Sequence, residues 1–254
     1  MSNLCPNILI MKYDRGRVLM IIVVKKSNVI LIGLIFILLA AIYSLNIGAN
    51  TLTTTGVEAG KTVIVDAGHG GEDPGKVSSY SNLKEKDINL KIAFKVKELL
   101  EKENINVIMT REEDKLAYTE GTVNLYDKRK QDLTGRKKTM DESGADIVVS
   151  IHLNSFPESK YFGAQTFYPP NSAKSLKLAT CLQQSLREQV DPGNNRKPQE
   201  KKEPIVILKD LVTPTAIVEC GFLSNADEEK KLGTDDYQSR IAEAIVDGIK
   251  NYFK

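Results

Sequence analysis

Short apolar runs alternate with amphipathic stretches along residues 61–254, and this pattern predicts alternating strands and helices. In residues 85–103, for example, Ile88, Ile92 and Val96 recur with the spacing of one helix face. The predicted strands are residues 62–65, 105–109, 146–151, 164–168, 205–208 and 215–218, and the predicted helices are residues 85–103, 124–143, 173–189 and 235–252. Strands that alternate with helices indicate a single α/β domain, with a twisted, mostly parallel sheet covered by helices on both faces.

A second pattern lies near the N-terminus, where residues 29–45 read VILIGLIFILLAAIYSL without a charged residue. This length is close to the ~20 apolar residues that cross a bilayer as a helix. Lys25 and Lys26 precede the run, so the positive-inside tendency predicts that the rest of the chain is exported. The pattern fits either a retained membrane anchor, which we expect, or a signal peptide cleaved after Ala49.

These features divide the chain into a short cytoplasmic tail (residues 1–27), a transmembrane anchor or signal segment (28–47), a linker rich in Thr, Gly and Asn (48–60) and the α/β domain (61–254). A translation start at Met20 is a further hypothesis, because residues 14–17 can be encoded by a purine-rich run that resembles a ribosome-binding site. Native peptides from upstream of Met20 would refute it.

Composition narrows the classes of function. The chain has a net charge of +2 and shows no concentrated basic face, which argues against a nucleic-acid partner. Its three cysteines, Cys5, Cys181 and Cys220, form no CxxC pair. An all-cysteine zinc site and a CxxC redox motif are therefore excluded.

The chain contains two histidines, His69 and His152, and each lies within a few residues of the end of a predicted buried strand. In open α/β sheets, the carboxyl ends of the strands form the edge where ligands bind. A lone histidine at such a place is more often structural. The placement of both histidines at strand ends instead favours a shared ligand site.

Glu85 is the first residue of the predicted helix that follows the first strand of the domain. Its side chain can therefore lie at the same edge of the sheet as the two histidines. Spacing alone leaves two interpretations open. Asn82 and Glu85 fit a helix capping box. Alternatively, two imidazoles and one carboxylate form a zinc shell with an open position for water, as catalytic zinc sites require.

Glu219 follows the apolar residues 216–218, where a buried strand meets the sheet edge. A charge at such a place needs a partner or a chemical role. One interpretation is a salt bridge to a nearby Lys or Arg; the other is a general base that takes a proton from metal-activated water. The neighbouring Cys220 is interpreted as a small buried residue, since no third histidine is present to activate it.

Four segments carry a resemblance: VDAGHGGEDPG (65–75), EKDINLKIA (85–93), SIHLNS (150–155) and VECGFLSN (218–225). In order, they resemble the signatures of the zinc N-acetylmuramoyl-L-alanine amidases, the amidase-3 family. The resemblance implies a mixed sheet of about six strands and one Zn²⁺ held by His69, Glu85 and His152. It implies that Glu219 is the catalytic base. The reaction implied is hydrolysis of the amide between the lactyl group of N-acetylmuramic acid and L-alanine in peptidoglycan.

The segment GAQTFYPP (163–170), the small size and the N-terminal apolar run are similar to the germination-specific spore-cortex members of that family. This similarity implies removal of stem peptides before muramic-δ-lactam formation, in the forespore envelope. The implied partners are peptidoglycan and the membrane, with any accessory protein unidentified. Two alternatives remain: a catalytically inert wall-binding or regulatory relative, and a zinc peptidase that acts on another exported substrate.

Three further residues are candidates for supporting roles. Asp66 would orient His69 or form a strand-end turn. Asn154 would hold the substrate or a ligand, or serve as a turn residue. Arg111 would bind a substrate carboxylate through two hydrogen bonds, or brace the loop after its strand.

Overall fold

The computed structural model describes residues 8–15, 18–25, 30–31, 34–35, 37, 60–202 and 205–254. The chain forms two compact units, Met1–Thr55 and Gly56–Lys254. In the first unit, strands β1 (Ile8–Arg15) and β2 (Val18–Lys25) pair antiparallel.

The predicted membrane segment, residues 28–47, lies largely outside the described residues. Among the helices that the structure describes, none is both long enough and apolar enough to cross a membrane. The cytoplasmic tail, the anchor or signal segment and the linker therefore stay predictions.

The second unit is an α/β domain. Its α-helices are α1 (Glu85–Lys102), α2 (Leu125–Glu142), α3 (Ala173–Gln189), α4 (Ala226–Leu232) and α5 (Asp235–Phe253). Its strands are β3 (Thr62–Ala67), β4 (Asn106–Met109), β5 (Ile147–Asn154), β6 (Gln165–Tyr168), β7 (Gln199–Glu200) and β8 (Thr215–Phe222). The six strands form one sheet in the order β4-β3-β5-β8-β6-β7, which confirms the predicted architecture.

The sheet is mixed and mostly parallel. Strand β3 pairs in parallel with β4 and β5, β5 with β8, and β6 with β7, whereas β6 runs antiparallel to β8. The carboxyl ends of β3, β5 and β8 therefore meet at one edge. His69 follows β3 directly after Gly68, while His152 and Glu219 lie near the ends of β5 and β8.

Successive side chains of a strand point to opposite faces of the sheet. The larger hydrophobic cluster and the side chains of His152 and Glu219 therefore lie on opposite faces. On β5, Ile147 and Val149 pack into the larger hydrophobic cluster, whereas Val148 belongs to the smaller cluster on the opposite face. His152 shares the face of Val148, and its register partner Glu219 lies on that face too. Helix α2 and a short 3₁₀ helix cover this face, and α1, α3 and α5 cover the other.

Three parts of the domain differ from the sequence prediction. Residues 205–208, predicted as a strand, instead contain the 3₁₀ helix Val206–Leu208, and the sixth strand is the two-residue β7. A short apolar run does not distinguish a buried strand from a buried helical turn, and a two-residue strand shows no alternation. Helix α4 was not predicted either, because it is short and mostly charged.

Candidate metal centre

The loop after β3 turns sharply at His69. His69 has a φ of 64°, in the left-handed region that non-glycine residues rarely adopt. Gly70 and Asp73 close the turn with two backbone hydrogen bonds of 3.0 and 2.9 Å. Strain of this kind persists only where the surrounding structure holds it, and here it places the His69 ring beside Glu85.

Three side chains meet at this edge of the sheet. Oε1 of Glu85 lies 3.2 Å from Nε2 of His69 and 3.1 Å from Nδ1 of His152. The two imidazole rings meet edge to face, with centroids 5.0 Å apart. Ligand atoms of all three residues lie within 4.8 Å of one another. The structure thus brings together the three residues that the sequence proposes as metal ligands.

Glu85 is the first residue of α1, but its side chain does not cap the helix. The N-cap residue Lys84 makes no side-chain cap hydrogen bond, and Asn82 adopts a left-handed φ of 62°. The Glu85 carboxylate instead accepts hydrogen bonds from the backbone N–H groups of Leu153 (3.0 Å) and Lys76 (2.8 Å). The geometry therefore argues against the capping box and holds this carboxylate between the histidines.

The histidines and the carboxylate are electrostatically coupled. Burial opposes the charged forms of both Glu85 and His69. The two histidines nevertheless hold the pKa of Glu85 well below its ordinary value, and Asp73 together with Glu85 raises the pKa of His69 to about 9. The carboxylates around His69 thus favour a positive charge here, whether a proton or a metal cation carries it.

The residues present fit a zinc ion. Catalytic zinc sites use imidazole nitrogens and carboxylate oxygens as ligand atoms. Two ligand atoms of one tetrahedral zinc ion lie roughly 3.3 Å from each other. The contacts between Glu85 and the two histidines are close to that spacing. Glycines leave room for the cluster, because a Cβ at Gly68 would overlap the His152 ring and one at Gly75 would lie 2.6 Å from Oε2 of Glu85.

Asp73 is the residue that orients the His69 ring. Its Oδ2 lies 2.8 Å from Nδ1 of His69, and Nε of Arg129 lies 3.1 Å from the same oxygen. A carboxylate on this nitrogen sets the tautomer and leaves Nε2 to face Glu85. Asp73 is not predicted from the sequence, because the pattern does not show which carboxylate of the loop reaches the ring.

Asp66 lies under the His69 backbone rather than beside its ring. Its carboxylate accepts hydrogen bonds from Thr110 (2.6 Å), Ser150 (2.5 Å) and Arg136 (2.9 Å). Burial opposes its ionisation, but Arg136 and the two hydroxyls hold the pKa of Asp66 below its ordinary value. Arg136 also donates to the carbonyl of His69 at 2.8 Å. Asp66 therefore supports the turn through Arg136.

Arg111 braces the loops around the site. It is 5% exposed and donates to the carbonyls of Ala67 (2.8 Å), Gly68 (3.1 Å), Lys86 (2.8 Å) and Glu113 (3.1 Å). Because its donors are engaged with backbone oxygens, the structure favours bracing over a substrate carboxylate.

Asn154 ends β5, just after a register shift that begins at His152. Its side-chain oxygen accepts a hydrogen bond of 2.8 Å from the N–H of Ser155, as expected of a turn residue. The side chain also borders a groove that Glu219 lines. Contact between Asn154 and a substrate stays a prediction.

Glu219 lies beside the cluster with an unpartnered oxygen. Its Oε2 is buried and has no hydrogen-bond partner in the described part of the chain. Burial raises the pKa of Glu219 to about 7, whereas a salt bridge would lower it. Glu219, His69 and His152 border the same cavity of about 220 Å³. A carboxylate that exchanges its proton near neutral pH suits a general base.

Cys220 lies on the opposite face of β8 from Glu219. Its side chain is fully buried in the larger hydrophobic cluster, and burial raises the pKa of its thiol well above the ordinary value. The interpretation of Cys220 as a small buried residue is confirmed.

The fold and the site together are those of a hydrolase with a candidate metal centre, built from two histidines and a glutamate beside a buried carboxylate. A sequence model of the N-acetylmuramoyl-L-alanine amidase family (Amidase_3) matches residues 63–251, which include all of these side chains. The chain belongs to this family and is a peptidoglycan amidase.

Individual relatives agree with this assignment. The germination-specific N-acetylmuramoyl-L-alanine amidase of Bacillus subtilis (strain 168) is 38% identical over 195 residues, which cover 77% of this chain and 81% of that protein. The CwlD amidase from Clostridioides difficile, solved in complex with the GerS lipoprotein, is 46% identical with a TM-score of 0.74, over 76% of this chain and 98% of that chain. An N-acetylmuramoyl-L-alanine amidase from Clostridium difficile 630 is 33% identical with a TM-score of 0.66, over 77% and 97%.

Proposed function

We propose that the protein is a zinc-dependent amidase that hydrolyses the bond between the lactyl group of N-acetylmuramic acid and L-alanine. The observation that carries this proposal is the position of Oε1 of Glu85 between the nitrogens of His69 and His152. The unpartnered Oε2 of Glu219 lies beside the same cavity. A Lewis acid and a base in such proximity suit the hydrolysis of an unactivated amide.

His69, Glu85 and His152 would hold the zinc ion. When bound, zinc supplies Lewis acidity, which makes an amide carbonyl more electrophilic and water more acidic. Asp73 keeps the His69 ring in its orientation, and Arg136 holds the backbone that carries it. These supporting contacts set the ligand geometry before substrate arrives.

Glu219 carries the proton transfers. Its carboxylate accepts a proton from the attacking water while the water oxygen forms a bond to the carbonyl carbon. The same carboxyl group then donates that proton to the amide nitrogen as the C–N bond breaks. The products are the lactyl carboxylic acid and a free L-alanine amino group. In the metal-free protein burial raises the pKa of Glu219 to about 7, and this environment favours a carboxylate that accepts a proton.

We also propose a role in the spore cortex, which two relatives support. The Bacillus subtilis relative is a germination-specific amidase, and the Clostridioides difficile relative was solved with a lipoprotein. In this role the protein removes stem peptides as the first step towards muramic-δ-lactam, with a lipoprotein as accessory partner. Residues 28–47 would anchor it facing the wall or direct its secretion.

Peptidoglycan with intact stem peptides tests the reaction. The purified protein, supplied with zinc, should release peptides that begin with L-alanine and leave muramic acid with a free lactyl carboxyl group. Mass spectrometry of both products identifies the bond that was cut. New amino termini at other residues would indicate a peptidase instead. No release of L-alanine termini, even with a lipoprotein partner present, would refute the proposal.

A further inference from the structure

Glu219 borders two spaces of different character. One is the cavity of about 220 Å³, whose lining includes the apolar side chains of Leu116, Leu133 and Ile207. The other is a groove of about 830 Å³, lined by aromatic, amide and charged side chains. Under the proposed function the scissile amide lies beside Glu219, so the two spaces are candidates for the two parts of the substrate that this amide joins.

We define an aromatic platform as Phe156 and Tyr161, which line the groove, together with Phe222, which packs behind them. Phe156 stacks on Phe222 with ring centroids 5.7 Å apart and planes at 24°, and Tyr161 lies 5.1 Å from Phe156. Phe222 is fully buried, whereas Phe156 is 45% exposed. The platform is therefore anchored in the core near the end of β8 and presents an aromatic face to the groove that Glu219 lines.

Polar groups surround the platform. Arg196 lies over the Phe222 ring at 4.6 Å from its centroid and donates to Oε1 of Gln165 at 2.8 Å. Asn154 uses its side-chain oxygen for Ser155, and its side-chain N–H groups have no partner among the residues that the structure describes. An aromatic face ringed by amide and guanidinium groups suits a pyranose ring, which has an apolar C–H face and polar hydroxyls.

The cavity of about 220 Å³, which Glu219 also borders, suits the start of a peptide. The apolar part of its lining accommodates a side chain as small as the methyl group of alanine. Arg129 also borders this cavity, binds Asp73 through Nε, and has a side chain that is 48% exposed. The terminal nitrogens of such an arginine can bind a carboxylate, and stem peptides carry free carboxylates.

We propose that the aromatic platform binds the sugar of the substrate, so that the glycan lies in the groove and the stem peptide enters the cavity. This inference rests on the proposed amidase function. It adds which part of the substrate lies in the groove and which part lies in the cavity. Phe156 contributes to binding of the glycan, away from the bond that is cut.

Two substrates that share the scissile bond test the proposal: a disaccharide muramyl peptide, and an N-lactyl peptide of the same sequence without sugar. In the full chain, Phe156→Ala should raise KM for the muramyl peptide by roughly three- to tenfold, the effect of losing one aromatic contact. KM for the lactyl peptide, and kcat for both substrates, should not change. Phe156→Leu keeps an apolar contact with Phe222 and should behave like Phe156→Ala, whereas Phe156→Tyr should behave like wild type.

Tyr126→Ala is the matched control, because Tyr126 is an aromatic residue of α2 that is 70% exposed and borders neither space. It should leave KM for both substrates unchanged. An equal rise in KM with both substrates in Phe156→Ala, or no rise with either, would overturn the proposal and leave the amidase function standing.

Calorimetric titration with peptide-free glycan strands tests the platform without any catalysis. Wild type should bind these strands, and Phe156→Ala should bind them roughly three- to tenfold more weakly. Equal affinities, or no binding by wild type, would overturn the sugar site. If wild type binds glycan but cleaves neither substrate, the proposed function fails while the platform stands.

Discussion

His152 and Glu219 occupy paired positions in the register of β5 and β8. These strands lie side by side in the middle of the six-stranded sheet. Because residues paired in parallel strands point to the same face, one backbone ladder sets the distance between a candidate ligand and the candidate base. Sites built on strands are held more rigidly than sites on loops.

Replacing Glu219 with Gln tests the buried carboxylate in the metal-free protein. Burial raises its pKa from 4.5 to about 7, so the folded state holds this proton more tightly than the unfolded state. The carboxyl group therefore contributes stability that is complete below about pH 4.5 and is lost as the pH rises through about 7. Relative to Glu219→Gln, wild type should lose about 2–3 kcal/mol of unfolding free energy over this window.

Denaturant titrations at a series of pH values measure this difference. The control is Glu188→Gln, which changes an exposed carboxylate on α3 and should leave the pH profile of wild type unaltered. Parallel profiles for wild type and Glu219→Gln would show that Glu219 is not a buried acid with a raised pKa.

Replacing Asp73 with Asn tests the orientation of the His69 ring. The variant loses the charged partner of Nδ1, and such changes weaken metal binding roughly 10- to 100-fold. Competition with a chelating dye measures the zinc affinity without any substrate. Asp127→Asn, at an exposed carboxylate in the first turn of α2, should bind zinc like wild type. An unchanged zinc affinity in Asp73→Asn would show that Asp73 does not orient a zinc ligand.

Gly75→Ala tests the space beside the cluster. Gly75 has a φ of 64°, and an added Cβ would lie 2.6 Å from Oε2 of Glu85 and 2.7 Å from the His69 ring. We expect a loss of about 1–2 kcal/mol from backbone strain, together with weaker zinc binding. Gly121→Ala is the control, because Gly121 has a φ of 87° with nothing within 4 Å of an added Cβ. Equal zinc affinities in Gly75→Ala and Gly121→Ala would show that an added Cβ at residue 75 does not crowd the candidate metal ligands.

Arg136→Met tests the ion pairs beneath the site. Arg136 lies 2.9 Å from Asp66 and 2.7 Å from Asp132, and all three are buried. Leaving two buried carboxylates without their cation should cost about 3–5 kcal/mol in urea unfolding at neutral pH. Lys138→Ala, which removes an exposed pair with Glu142 at 4.0 Å, should cost at most about 0.5 kcal/mol. Equal losses would refute the structural role of Arg136.

The long periodic elements could be predicted from the sequence, and the short ones could not. The predicted helix 85–103 matches α1 (Glu85–Lys102) within one residue. The predicted strand 146–151 is extended to Asn154 in β5, because the polar residues that end this strand interrupt its apolar pattern. Strand β7 was missed because its pairing depends on contacts at the sheet edge rather than on local sequence.

The candidate site could be predicted in part. His69 and His152 were indicated by their scarcity and their positions at strand ends. Glu85 needed the family resemblance, since a capping box explains the same spacing. Asp73 and the aromatic platform could not be predicted, because their contacts arise from the left-handed turn at His69 and from packing between distant segments.

The dependence of amide hydrolysis on added zinc tests the central claim most directly. Metal-free protein, titrated with zinc in the presence of peptidoglycan, should release L-alanine amino termini at a rate that saturates near about one equivalent per chain. Glu219→Gln should bind the same amount of zinc and lose activity by roughly 10²–10⁴-fold. Full activity in the metal-free protein, or in Glu219→Gln, would contradict the account.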